Sequence, residues 1–281
     1  MGLPPMTALQ IATISTARHY RLRNFGAIAP RYFADFIVFD DLKKLVVRQT
    51  YKKGILAAEE GKYLASQRAL VPRPRSTMNL HFKAPEDFKA RLNRGARMRV
   101  IEVVPNQIVT RQTIETPRSK GGPVVPDVER DILKLVVVER HHATGNVGVG
   151  FVRGFKLKSG ALGSTVAHDA HNVVVVGTND TDIARAIVEL VKMQGGQVAI
   201  QNGKARAELA LPIAGLVSDR PLKEVIERIA ALNATARAMG CALEASFMTL
   251  SFLSLSPIPE LKLTDQSLID AVHMWPTKLF A

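Results

Sequence analysis

The chain has 281 residues, 47% of them hydrophobic, and carries 38 lysines and arginines against 25 acids, a formal net charge of +13. A chain of this size forms one large domain or two modest ones and buries roughly 75% of its unfolded surface. A single cysteine, Cys241, excludes an internal disulfide and fits a reducing, cytoplasmic setting, and no apolar run reaches the ~18 residues of a membrane span.

In chain order, Thr7 to Tyr20 predicts a helix with Ala8, Ile11 and Ala12 on one face and Thr7 as its N-cap. A turn from Gly26 to Pro30 follows, then strands over Ala34–Asp40 and Leu45–Tyr51 and a turn at Lys53 and Gly54. Arg18, Arg21, Arg23 and Arg31 all precede the first acid, Asp35, and a second basic run extends from Lys62 to Arg99. No aromatic interleaving accompanies these charges, so they predict a solvated face or one that meets an acidic partner domain well ahead of a nucleic-acid-binding module, a third reading that rests on charge alone. The acid-poor start lacks the apolar region of a signal peptide.

Ser66 to Ser76, with Pro72 and Pro74, reads as a linker. Strands are expected over Met98–Val104 and Gln107–Thr113 around the turn Pro105–Asn106, then a loop from Pro117 to Pro126. Asp131 to Glu139 is apolar enough for a central strand, ending at His141 and His142. Glycines 145, 148, 150 and 154 lack the spacing of a phosphate loop and are assigned to turns.

From Gly160 to Gly177 the pattern changes. His168, Asp169, His171 and Asn172 fall within five residues, immediately before the run Val173–Val176. Ligand-type side chains thus stand at the mouth of a buried strand, where sites of layered α/β domains commonly lie. A helix capped by Asn179 or Asp180 follows, with Ile183, Ala186, Ile187, Leu190 and Val191 on one face and a stop at Gly195 and Gly196. Asn202–Gly203 marks a hairpin over Gln197–Leu211, with Ala205, Ala207, Leu209 and Leu211 sharing a face. Ser218 and Asp219 are read as the cap of a last long helix, with Leu222, Val225, Ile226 and Ile229 inward and Gly240 near its end. Phe247 to Phe252 reads as core, and Glu260, Lys262 and Asp265 as a solvated rim. The mixture predicts an α+β fold of mixed α/β layers.

The run Ser164–Asn172, with Gly177–Asp180, Leu211–Asp219, Phe247–Phe252 and Ile258–Asp265 after it in order, resembles the C-terminal domain of the bacterial adenine deaminases. The match fades after Leu268. The first helix, its turn and the Ala34–Asp40 strand are similar to the segment that leaves the catalytic barrel in the amidohydrolases, although Arg31 stands where that family usually has glycine. The resemblance implies two parts: residues 1–64, a barrel-exit helix with part of a composite β-sandwich, and residues 65–281, the C-terminal α/β domain. It also implies a cytoplasmic purine-salvage hydrolase that converts adenine to hypoxanthine and ammonia with manganese or iron, works as a homo-oligomer and holds its metals on a barrel of ~250 residues.

This chain has neither that room nor a His-x-His pair among its seven histidines. It is therefore expected to be inactive without a barrel supplied in cis or in trans. The rival expectation is a non-catalytic scaffold or regulatory subunit docking on a separately encoded barrel. His168 and His171, spaced to share a helical face, are candidate metal ligands with Asp169 but do not close a site without another donor. His168, Asp169, His171 and Asn172 are expected to form a polar cluster facing the barrel active site; the competing expectation is a turn whose imidazoles only satisfy backbone carbonyls.

Overall fold

The structure is a computed structural model, and it describes residues 2–64, 76–82, 84, 86–92, 95, 97–119 and 121–281. Its contacts divide the chain into two units, residues 1–70 and 71–281. The expected linker falls largely outside the described residues.

The first unit begins with helix α1 (Pro5–Gln10), which passes through a π turn at Ile11–Ser15 into α2 (Thr16–His19). Proline at the first turn lacks an amide that would go unbonded there anyway. The helix therefore starts at Pro5, with no side-chain cap, and not at the predicted Thr7. Four antiparallel strands follow in sheet order: β1 (Phe36–Phe39), β2 (Val47–Lys52), β3 (Ile55–Glu59) and β4 (Lys62–Tyr63). Arg31 holds a left-handed φ of 69°, the conformation glycine adopts most readily. Ala17 is the only fully buried hydrophobic residue of this unit among those described, while Leu3, Met6, Ile28, Ile55 and Tyr63 are exposed.

The second unit is built on one eight-stranded sheet. Its strands are β5 (Met98–Val103), β6 (Thr110–Glu115), β7 (Leu133–Val138), β8 (Val147–Arg153), β9 (Ala161–Ser164), β10 (Val173–Gly177), β11 (Gly196–Gln201) and β12 (Lys204–Ala210). They lie in the order β12-β11-β9-β10-β7-β8-β5-β6, antiparallel except between β5 and β8. Every residue of β7, β9 and β10 is buried, as expected of central strands covered on both faces. Helix α3 (Asp180–Lys192) packs Ile183, Ala186, Ile187 and Leu190 against one face. Asn179 caps it, accepting the Asp182 amide at 2.8 Å.

The opposite face is covered by α4 (Leu222–Ala238), α5 (Ser246–Ser251) and a small antiparallel sheet of β13 (Leu261–Leu263), β14 (Leu268–Asp270) and β15 (Trp275–Thr277). The architecture is α+β, as the composition of elements implied.

Several details depart from the sequence reading. In α4 only Leu232 and Ala236 are buried and Val225 packs on the core, whereas Leu222, Ile226 and Ile229 are exposed. Pro221 takes the N-cap position without a side-chain cap, and Ser218 instead accepts the Arg220 amide at 3.1 Å. The hairpin turn at Asn202 and Gly203 has both φ angles positive, as predicted, but a register shift between Ala199 and Ile200 leaves Ala205 exposed and breaks the expected alternation. Lys262 is fully buried rather than on a rim.

Candidate functional site

The residues singled out in sequence lie on the turn that joins β9 to β10, two adjacent central strands. They occupy no helix, so His168 and His171 do not share a helical face. Their rings instead meet edge to face at a centroid distance of 5.6 Å, and the His168 ring also lies 4.8 Å from that of Phe252. Both imidazoles are half-buried, Asp169 is exposed and Asn172 is buried. Part of each histidine's polarity is used locally: the His168 amide donates to the Ser251 carbonyl at 2.9 Å, and His171 Nδ1 accepts the Ala167 amide at 3.3 Å.

What fixes this turn is a residue the sequence reading passed over. Arg140 follows the all-buried strand β7 and is 1% exposed. Its guanidinium donates to the carbonyls of Thr77 (3.0 Å), Ala214 (2.9 Å) and His171, and to the Thr77 hydroxyl (2.9 Å). No carboxylate pairs with it among the described residues. A buried charge is tolerated only when its donors are satisfied, and here main-chain oxygens from three segments do so. Gly215 makes this possible, since a Cβ there would stand 3.0 Å from three guanidinium atoms. The signal available in sequence was a charged pair, Glu139 and Arg140, directly after the apolar run Leu135–Val138.

The turn is held from the other side by Asp265, which had been assigned to a solvated rim. Asn172 Nδ2 donates to Asp265 Oδ1 at 3.1 Å, Asn146 Nδ2 donates to Oδ2 at 3.2 Å, and Asn172 Oδ1 accepts the Arg140 amide at 3.4 Å. Asp265 reaches this position because β8 carries glycine where the segment after β13 crosses it. A Cβ on Gly148 would stand 1.9 Å from the Thr264 carbonyl oxygen, and one on Gly150 would stand 3.3 Å from Leu263. These two glycines therefore serve close approach, and not the turns to which the spacing assigned them.

Between the turn, the end of α5 and the β13–β14 turn lies an open cavity of about 420 Å³ lined by Asp169, Asn172, Ser254, Asp265, Gln266 and Ser267, among others. Its volume is within the roughly 300–1,000 Å³ typical of small-ligand sites. Burial, then the neighbouring His168 and Arg140, push the His171 imidazole below its usual range and favour its neutral form. For Glu139, burial opposes ionisation, but the amides of Thr144, His141 and His142 and the Thr144 hydroxyl prevail and hold its carboxyl at about 2. His141 Nε2 lies 2.8 Å from the Ala170 carbonyl oxygen, so this loop braces the same turn.

Among the described residues, no group of three or more His, Cys, Asp or Glu side chains gathers as a metal centre requires. His168 and His171 supply two imidazoles but no complete donor set. Among the same residues, no helix is long and apolar enough to cross a membrane.

Comparison with known proteins finds a family match in each unit. Residues 107–274 match the adenine deaminase C-terminal domain, past the point at Leu268 where the resemblance was expected to end, and residues 1–57 match the amidohydrolase family. The chain is 46% identical over 272 residues to an adenine deaminase of Dehalococcoides mccartyi, covering 96% of this chain and 47% of that protein. It is 48% identical over 269 residues to adenine deaminase 2 of Carboxydothermus hydrogenoformans, covering 94% and 46%. With an adenine deaminase of Methanothrix thermoacetophila, identity is 43% over 279 residues, covering 99% and 49%. The chain thus spans about half the length of the curated relatives it matches.

Proposed function

Because the chain belongs to the adenine deaminase C-terminal domain family, we propose that it is the C-terminal half of a metal-dependent deaminase that converts adenine and water to hypoxanthine and ammonia. In this reading it turns over little or no adenine without the barrel half, supplied in cis or in trans. The observation that carries the proposal is the first unit. A helix and a four-stranded sheet that bury almost nothing of their own, and expose Leu3, Met6, Ile28, Ile55 and Tyr63, support the reading that they are one side of a core completed by the barrel half. An apolar groove of about 550 Å³ lined by Leu9, Ile28, Phe36, Ile37, Phe39 and Tyr51 runs through the same unit.

Manganese or iron, by resemblance to the amidohydrolases, would sit on the barrel and lower the pKa of its water from 15.7 to about 7. The role we assign to the β9–β10 turn is binding and proton handling beside that centre. His168 and His171 are half-buried, with the His171 imidazole held toward the neutral form that can accept a proton, and Asp169 and Asn172 border a cavity in the size range of small-ligand sites. An accessory ion on the two imidazoles would need its remaining donors from the barrel half. The complete enzyme is a homo-oligomer in this reading, a view the exposed aliphatic face of α4 supports.

The test replaces His168 and His171 with alanine in a full-length relative and measures turnover per folded molecule beside thermal stability. Lower turnover with unchanged stability is expected. Lower stability with unchanged turnover would mean that the imidazoles only brace the turn.

A further inference from the structure

Helix α4 presents two different faces. Val225, Leu232 and Ala236 turn to the core, whereas Leu222, Ile226 and Ile229, spaced i, i+4 and i+7, form a separate aliphatic stripe that is 74%, 57% and 40% exposed. Three large aliphatic residues in succession on one helical face form a contiguous patch rather than single scattered exposures, the arrangement that interaction surfaces show. Beside the stripe stand Lys223 and Glu227, exposed and one turn apart. Neither forms an ion pair among the described residues, although Glu224 and Arg228 on the same helix pair at 3.1 Å.

We propose that this stripe is the contact between two copies of the chain, with their α4 helices antiparallel about a twofold axis near Ile226. The inference rests on the homo-oligomer reading above and gives it a location. Under that axis Ile226 meets its own symmetry mate, and each Leu222 falls opposite the small, exposed Ala230 of the second copy, so bulk faces space. The same operation brings each Lys223 beside the Glu227 of the other helix, so two charges without an ion pair among the described residues of one chain are paired twice in the dimer. A parallel arrangement would set like charges together. A self-complementary patch is what a twofold contact requires. One helix pair places the contact at the small end of stable interfaces, so the dimer is expected to be weak and concentration-dependent.

The experiment is sedimentation of the 281-residue chain across a concentration series, wild type beside Lys223→Glu, Glu227→Lys and Ile226→Glu. The wild type should show a monomer–dimer equilibrium. Each charge reversal should weaken it at least tenfold, and an equimolar mixture of the two charge-reversed chains should dimerise again, because Glu at 223 in one chain meets Lys at 227 in the other. Ile226→Glu should abolish the dimer. A wild type that dimerises with the same affinity as all three variants, or reversals that are not rescued by mixing, would overturn the interface and leave the oligomer reading standing. A monomeric wild type would also overturn the interface, and would leave any oligomer of the complete enzyme to contacts of the barrel half.

Discussion

Removing the Arg140 guanidinium should loosen the β9–β10 turn and change how His171 titrates. In an Arg140→Met variant the carbonyls of Thr77, Ala214 and His171 stay partly buried without their donor. Each unsatisfied acceptor costs about 1–3 kcal/mol. Against that sum stands the desolvation of the guanidinium itself, several kcal/mol, which the variant no longer bears. The net expectation is a loss of about 3 kcal/mol, or about 6–12 °C in Tm for a unit of this size. Lysine is not a conservative replacement, because one ammonium cannot reach three carbonyls arranged around a planar fork, so Arg140→Lys should recover only part of the loss. The second readout is specific to the turn. Burial, His168 and then Arg140 hold the His171 imidazole low, and loss of the positive charge should raise its titration midpoint in an NMR pH series. The assays are calorimetry and histidine proton shifts. A variant within about 0.5 kcal/mol of wild type, the ordinary range for a surface change, or an unmoved His171 midpoint, would refute the clamp.

Other consequences are checked as directly. Gly148→Ala, which sets a Cβ 1.9 Å from the Thr264 carbonyl oxygen, should push the β13–β14 turn off the sheet and separate Asp265 from Asn172, seen as faster hydrogen exchange after Leu263 and a lower Tm. Glu139 has a folded pKa of about 2, below its usual 4.5, so its contribution to stability is fully present above about pH 4.5 and lost as the pH falls toward 2; Glu139→Gln should remove that part of the acid denaturation profile. Burial lowers Lys262 from 10.5 to about 8, so between those values the unfolded chain binds the extra proton and stability rises with pH. Lys262→Met should flatten that rise and raise the Tm at pH 7, because a buried ammonium with one carbonyl partner, Ile108 at 2.9 Å, gives way to an apolar side chain.

Much of the fold was legible because local chemistry and tertiary environment agree. The valine run Val173–Val176 is a central strand, Asn179 caps α3, and Asn202–Gly203 turns a hairpin, each for the reason its sequence suggested. Misreadings arose where a distant segment decides. The spacing of Leu222, Ile226 and Ile229 marks an apolar face but does not say whether the core or another molecule covers it. Lys262 reads as a surface residue until the carbonyl of Ile108 is placed over it. The site was half legible. His168, Asp169, His171 and Asn172 do lie together on one turn, but Arg140 and Asp265, which hold that turn from 31 residues before His171 and 93 after Asn172, gave no local signal of their partnership.

The central claim, that this chain completes a reaction it does not perform alone, is tested most directly by ammonia release from adenine in the presence of manganese or iron. The account predicts no turnover above background for the purified chain and its appearance when the separately produced barrel half of a relative is added. Release near an ordinary enzymatic rate of about 10 per second by the chain alone would contradict it.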